Sequence, residues 1–242
     1  MSKDVKSFFE SHFHRYVDKP DFYSLIAREV KNLVVRDKQL SLLDVGCGDG
    51  RFIKALIKEG VSANYVAMDL SFNMLLNAAT NLNCKEVQLF LADAFKLPLK
   101  DSLEFDVIHV DSVLHHLIGR TRGKSMKLVE KMLNILNAKL SANGVLIVEE
   151  VYYSSYLIPT ITSFLVFYGL KLINFFRLDL SFTKEIRPGL EVNFLHEKQL
   201  IKNLEHYGSV VLLHKEAARV PRTYQVFLLK ESGHITYSIR KK

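Results

Sequence analysis

From Val5 to Val35 the apolar positions recur three and four residues apart: first Phe8, Phe9, Phe13 and Tyr16, then Tyr23, Ile26, Val30 and Leu33, with a break near Pro20. That period is helical, so two amphipathic helices are predicted ahead of the main body. From Leu40 the pattern changes to short, mainly apolar runs, at Leu40 to Val45, Tyr65 to Met68, Val87 to Leu91, Phe105 to Val110 and Val145 to Val148. Such runs read as strands covered on both faces, the mark of a parallel sheet. Helical stretches at Arg51 to Glu59, Ser71 to Leu82 and Ser125 to Leu140 separate them, and the alternation predicts a doubly wound α/β sheet.

After the fifth run, Tyr152 to Glu191 fits no strand-helix repeat. A helix is predicted from about His196 to Gly208, and the runs Val210 to Leu213 and Tyr224 to Leu229 are expected to pair as an antiparallel hairpin at the sheet's edge. The whole is expected to be one α/β domain with a mainly parallel seven-stranded sheet. Its parts would be an N-terminal helical lid (1–38), a core (39–151), an apolar helical insertion (152–192), and a closing helix with hairpin (193–242).

Composition narrows the class. With 48% apolar and 24% charged residues in 242, the chain can bury one sizeable core, and it is neither globally disordered nor a multi-span membrane protein. The net charge of +7 suits anionic partners, but the basic residues are scattered. The first residues carry no apolar core of signal-peptide length, and Cys47 and Cys84 are the only cysteines, so a reducing, cytoplasmic setting without disulfides is expected. No metal site is expected, because the histidines show no ligand spacing with acidic partners.

Val151 to Leu170 has no charged residue in twenty positions, yet Pro159, Gly169 and several Ser and Thr argue against a membrane span, as does the need for strands on both sides of it to join one sheet. From Ile161 the spacing is helical, with Ile161, Phe164, Leu165, Tyr168, Leu172 and Phe175 on one face and Val166, Leu170 and Ile173 on another. A helix apolar on both faces needs two partners. The second is core packing, a hydrophobic substrate, a membrane surface or another subunit, and Lys171, Arg177, Lys184, Arg187 and the tail Arg240-Lys241-Lys242 would suit anionic lipid.

The strongest chemical signal is Leu43-Asp44-Val45-Gly46-Cys47-Gly48-Asp49-Gly50, a strand running through alternating glycines into a helix. Glycines allow a sharp turn and close approach of a ligand to the main chain, and the helix start offers unpaired amides. Asp69 closes the second strand, where a carboxylate can accept two hydrogen bonds from a ribose diol or can instead cap the next helix. Asp93 closes the third, in Leu91-Ala92-Asp93-Ala94-Phe95, as an acceptor for an exocyclic amine or as a turn former. The fourth strand ends in Asp111-Ser112-Val113-Leu114-His115-His116. The later-spaced third glycine of the dinucleotide fingerprint is missing, which disfavours a nicotinamide dehydrogenase.

With these motifs in this order, and with Phe105-Asp106-Val107-Ile108 and Asn143-Gly144-Val145-Leu146-Ile147 following, the chain resembles the class I S-adenosylmethionine (SAM)-dependent methyltransferases, in particular the small-molecule group that includes quinone-ring methyltransferases. The resemblance covers Leu40 to Glu150 well and the closing helix and hairpin loosely. It implies that Asp44, Gly46, Cys47 and Gly48 cradle the methionine part of SAM, that Asp69 holds the ribose hydroxyls with Leu70 and Met74 flanking, that Asp93 and the Ala94 amide read the adenine, and that Asp111 stands beside the glycine loop.

His115 and His116 are the candidates for an acceptor base. Glu149 and Glu150 could also reach the cavity, at least one of them being expected as a solvated or helix-capping acid. His12, His14 and His196 are weaker candidates, and Tyr16 is a lid contact. The expected activity is methylation of a small, apolar acceptor. A nucleic-acid methyltransferase is the rival, although the Asn/Asp-Pro-Pro-aromatic signature is missing at the fourth strand; a non-catalytic SAM-binding regulator is the other. The insertion 152–190 is expected as a membrane-peripheral or homodimer contact.

Overall fold

The computed structural model describes residues 3–12, 23–33, 39–82, 87–176, 191–220 and 228–241. Two helices come first, α1 (Lys3–His12) and α2 (Tyr23–Leu33). The alternating body runs β1 (Leu40–Val45), α3 (Arg51–Lys58), β2 (Ala63–Asp69), α4 (Phe72–Leu82), β3 (Val87–Leu91), β4 (Phe105–Asp111), a 3₁₀ turn (Leu114–His116), α5 (Arg122–Ala138) and β5 (Leu140–Ser155). Then follow α6 (Pro159–Phe175), β6 (Leu195–His196), α7 (Glu197–Leu204), β7 (Gly208–Arg219) and β8 (Leu229–Lys241).

The sheet order is β3-β2-β1-β4-β5-β8-β7, with the short β6 beside the end of β5. The first five strands are parallel, while β8 runs antiparallel to both β5 and β7. The strand order reverses between β1 and β4, and in open α/β sheets the crevice at the carboxyl ends beside such a reversal is where ligands bind.

Strand periodicity explains why apolar runs were needed in β1. Leu42 faces one core, with Phe52, Leu56, Ile26 and Val30 of the helices on that side, and its neighbour Leu43 faces the other, with Val129, Leu133 and Leu136 of α5. Thr121 caps α5 by accepting from the Lys124 amide at 3.3 Å.

Two expectations need correction. β5 is far longer than Val145 to Val148 and continues to Ser155, so Tyr152 and Tyr153 belong to the sheet and are buried. The partner of β7 is Leu229–Lys241, not Tyr224 to Leu229; most of that run lies outside the described residues. The antiparallel pair closes one edge of the sheet as expected, with β8 next to β5 and β7 outermost. Of the basic tail, Arg240 and Lys241 are part of β8, and the Lys241 ammonium donates to the Leu140 carbonyl at 2.6 Å. Among the described residues, no helix is long and apolar enough to cross a membrane.

Candidate active site

The glycine bend after β1 is built from backbone. Gly46 and Cys47 both donate to the Met68 carbonyl, at 2.8 and 3.0 Å, which folds the chain over the tip of β2. Gly46 and Gly48 have φ of +75° and +53°, the left-handed region that side chains disfavour. Their surroundings differ. A Cβ on Gly46 would stand 2.5 Å from Cγ2 of Val113, whereas one on Gly48 would meet nothing within 4 Å. Gly46 is thus needed for packing, and Gly48 leaves open space.

That space is a cavity lined by Tyr23, Gly46, Cys47, Gly48, Asp69, Met74 and Asp111, with Val113, His115 and His116 at its further side. Asp69 enters from the tip of β2 and is locked by main-chain donors: Oδ2 accepts from the Gly48 amide at 3.0 Å and Oδ1 from the Ser71 amide at 2.8 Å. Burial pushes its pKa up to about 6, against the pull of those amides. Tyr23, at the start of α2, reaches across and donates to Oδ2 of Asp111 at 2.5 Å. Its own pKa is raised well above the usual phenol value by burial first and then by Asp111, so it stays a donor. Burial likewise raises the Cys47 thiol well above its ordinary range, with Asp44 and Asp69 adding to the effect.

On the further side, His115 sits in the 3₁₀ turn with its Nδ1 bonded to Oε1 of Glu150, which projects from β5. The same carboxylate accepts from the His115 amide at 3.2 Å and the Val151 amide at 2.8 Å. His116 packs beside it with ring centroids 4.0 Å apart, and burial, then the neighbouring His115, hold its pKa well below the usual histidine value. The segment after the insertion closes on this turn: the Asn193 amide donates to the His115 carbonyl at 2.7 Å, and the Phe194 ring lies 5.7 Å from that of His115.

Of the residues singled out in the sequence, Gly46, Cys47, Gly48, Asp69, Leu70, Met74, Ala94, Asp111, His115 and His116 all line this one cavity. Asp44 and Asp93 do not. Asp44 is fully buried behind the bend, where Oδ1 bonds Nδ1 of His109 at 2.8 Å, and Asp93 turns back to accept from the Phe95 amide at 3.0 Å while its neighbours Ala92 and Ala94 form the wall. Neither Glu149 nor Glu150 is solvated or caps a helix; both are buried within β5. His196 is remote from the cavity: its Nδ1 accepts from the Lys198 amide to cap α7 and its Nε2 meets Ser155. His14 and Tyr16 lie outside the described residues, as does the side chain of His12.

The sequence reading missed Tyr23 as a site residue and Glu150 as the partner of His115. An aromatic residue opening a helix was the available signal for the first, and nothing local signals the second.

The charge of the wall suits SAM. A chain of net charge +7 lines this cavity with Asp49, Asp69 and Asp111 and, among the described residues, with one Lys or Arg, Arg51, which pairs with Asp49 at 2.8 Å. An acidic wall of this kind favours a ligand that carries a sulfonium and an ammonium. The Gly48 side of the bend gives the main chain room to meet it.

Comparison with known proteins agrees. Residues 43–148 match the family model described as a methyltransferase domain. No curated protein matches the chain. Among solved structures, the YcgJ protein of Bacillus subtilis superposes with a TM-score of 0.62 at 13% identity, over 91% of this chain and 98% of that one. The N-methyltransferase NodS of Bradyrhizobium japonicum, in complex with S-adenosyl-L-homocysteine, gives 0.59 at 12% identity over 99% of each chain. The 1,6-didemethyltoxoflavin-N1-methyltransferase of Burkholderia thailandensis, with 1,6-didemethyltoxoflavin and S-adenosylhomocysteine bound, gives 0.60 at 17% identity over 99% and 88%.

The fold is therefore the Rossmann-like methyltransferase fold. Residues 43–148 thus match a methyltransferase domain within that fold, and two of the similar structures hold S-adenosylhomocysteine.

Proposed function

We propose that this chain is a class I SAM-dependent methyltransferase that acts on a small, apolar acceptor carrying a weakly acidic hydroxyl or carbon, such as a quinone, isoprenoid or lipid-like ring, with His115 taking the acceptor's proton. The observation that carries this reading is the buried contact of His115 Nδ1 with the Glu150 carboxylate on the wall of the cavity that holds Asp69. A carboxylate only accepts, so the imidazole keeps its proton on Nδ1 and presents Nε2 on the opposite edge as the acceptor.

When bound, SAM supplies an electrophilic methyl group on a sulfonium, so no protein nucleophile is required. The chain's own residues have three tasks. Asp69 and the bend at Gly46 to Gly48 fix the donor's position. The ring of His115, oriented by Glu150, receives a proton at Nε2 as the acceptor atom forms its bond to the methyl. Val113, Phe194 and the buried histidine pair exclude water from that side. Glu150 acts here as a positioning residue and does not touch the acceptor.

The bound small molecule of the Burkholderia enzyme supports an acceptor of that size. The rival nucleic-acid reading gains nothing from the acidic wall, since phosphates would be repelled there.

The test is transfer of labelled methyl from SAM to a metabolite extract. Label is expected in the organic fraction. Label in RNA, or in no fraction, would contradict the reading. With the acceptor in hand, His115→Ala is expected to lower kcat by about 100-fold or more with little change in SAM affinity. Glu150→Gln should lower kcat less and shift the alkaline rise of its pH profile.

A further inference from the structure

α6 carries its larger apolar face outward. At 3.6 residues per turn, Ile161, Phe164, Leu165, Tyr168, Leu172 and Phe175 fall within an arc of about 100°. All six are exposed, Phe175 by 80% and Leu172 by 58%. The opposite side, with Thr162, Ser163, Val166 and Phe167, is the one buried, and Ser163 is bonded there to Tyr153 and Gln199. The turn before the helix continues the stripe with Tyr156 and Ile158, exposed by 74% and 64%. A surface helix of a water-soluble domain hides such a stripe, and contiguous apolar patches of this kind mark interaction surfaces.

Charge decides what fits it. No acidic residue occurs from Val151 to Leu178. Lys171 flanks the stripe and donates its ammonium to the carbonyls of Gly119 and Arg120 at 3.3 and 3.2 Å. That contact brings the loop bearing the exposed Arg120, and the first turn of α5 with the exposed Lys124, alongside the helix. Glu191 shares a groove with Tyr168, Lys171, Leu172 and Phe175, but Arg120, Lys124 and Lys171 outnumber it on this side, and an anionic bilayer would neutralise that excess.

The helix has 17 residues, about 25 Å at 1.5 Å each, and Pro159 sits in its first turn. Its amphipathic placement on the protein suits the plane of an interface, with the stripe immersed among acyl chains and Lys171 at the headgroup level.

We propose that the outward face of α6 docks this methyltransferase on an anionic lipid surface. α6 leaves β5 at the strand's carboxyl end, the end of the sheet at which the cavity opens. The proposal stands independently of which acceptor is methylated.

The test is flotation of the full chain with vesicles of phosphatidylcholine, with and without phosphatidylglycerol. The chain is expected to partition onto the phosphatidylglycerol vesicles at least about tenfold more strongly than onto the neutral ones. The double substitution Phe164→Glu with Leu172→Glu, at two exposed positions, should lower that partition by about tenfold or more while SAM affinity stays unchanged. Unchanged SAM affinity shows that the variant is folded and keeps this result separate from the acceptor assignment. Three results would overturn the proposal: a wild-type chain that ignores both vesicles, a variant that floats as well as wild type, or a wild-type dimer that the variant splits without any vesicle binding.

Discussion

The Tyr23 hydroxyl donates to Oδ2 of Asp111 at 2.5 Å, a bond across 88 positions of sequence that ties α2 to the tip of β4 at the mouth of the cavity. Tyr23 also packs its ring 6.2 Å from Phe52 of α3, so α2 is held by one apolar and one polar contact through the same side chain. Tyr23→Phe keeps the ring and removes the donor. A hydrogen bond to a charged group is worth about 2 kcal/mol, so unfolding in urea is expected to shift by up to that amount. SAM affinity should fall several-fold, because α2 is then less firmly placed. An unchanged affinity and midpoint would separate Tyr23 from the site.

Gly46 and Gly48 are expected to answer differently to alanine. Gly46→Ala places a Cβ against Val113 in a left-handed backbone and should destabilise the fold by about 2 kcal/mol or more, read as a lower urea midpoint. Gly48→Ala meets no protein atom, so it should cost the fold only the backbone term of about 1 kcal/mol while projecting a methyl into the donor's space. Its SAM affinity should fall by about tenfold or more. Equal losses of stability in the two variants would contradict this division.

Asp69 predicts a pH dependence of opposite sign for folding and for binding. Its folded pKa of about 6 lies above the ordinary carboxylate value of about 3.9, so between those two pH values the folded, ligand-free chain holds a proton that the unfolded chain has lost. On this account stability of the ligand-free protein falls as pH rises through that window and is level above it. Hydroxyl donors need the ionised form, so SAM affinity should drop as pH falls below about 6, by about tenfold at pH 5. Asp69→Asn should give weak binding with a level profile in calorimetry, and a persisting acid fall would assign it to another group.

The parts legible in the sequence are those whose signal is local. β1 reads as Leu40 to Val45 because both of its faces are apolar, and the bend after it because glycine alone tolerates the backbone at Gly46. β8 was misplaced because its apolar positions, Ile235, Tyr237 and Ile239, alternate with Thr236 and Ser238, which are buried as well. The continuous run upstream looked stronger than this mixed one. The pairs Asp44 with His109, on neighbouring strands, and His115 with Glu150, joining the 3₁₀ turn to β5, lie 65 and 35 positions apart, and only the register of β1 against β4 puts Asp44 opposite His109. The bond from Asp44 Oδ1 to the next strand is therefore not visible in the sequence around it. Glu149 and Glu150 could not be told apart as cavity, solvated or capping acids, because nothing beside Glu150 in the sequence shows the imidazole it serves.

Calorimetric titration of SAM into the wild-type chain and into Asp69→Ala tests the central assignment most directly. Saturable binding at one site is expected for the wild type, weakened by more than about tenfold when the carboxylate acceptor is removed. Absence of binding to the wild type, or the same affinity in both proteins, would contradict a donor site built on Asp69 and the bend from Gly46 to Gly48.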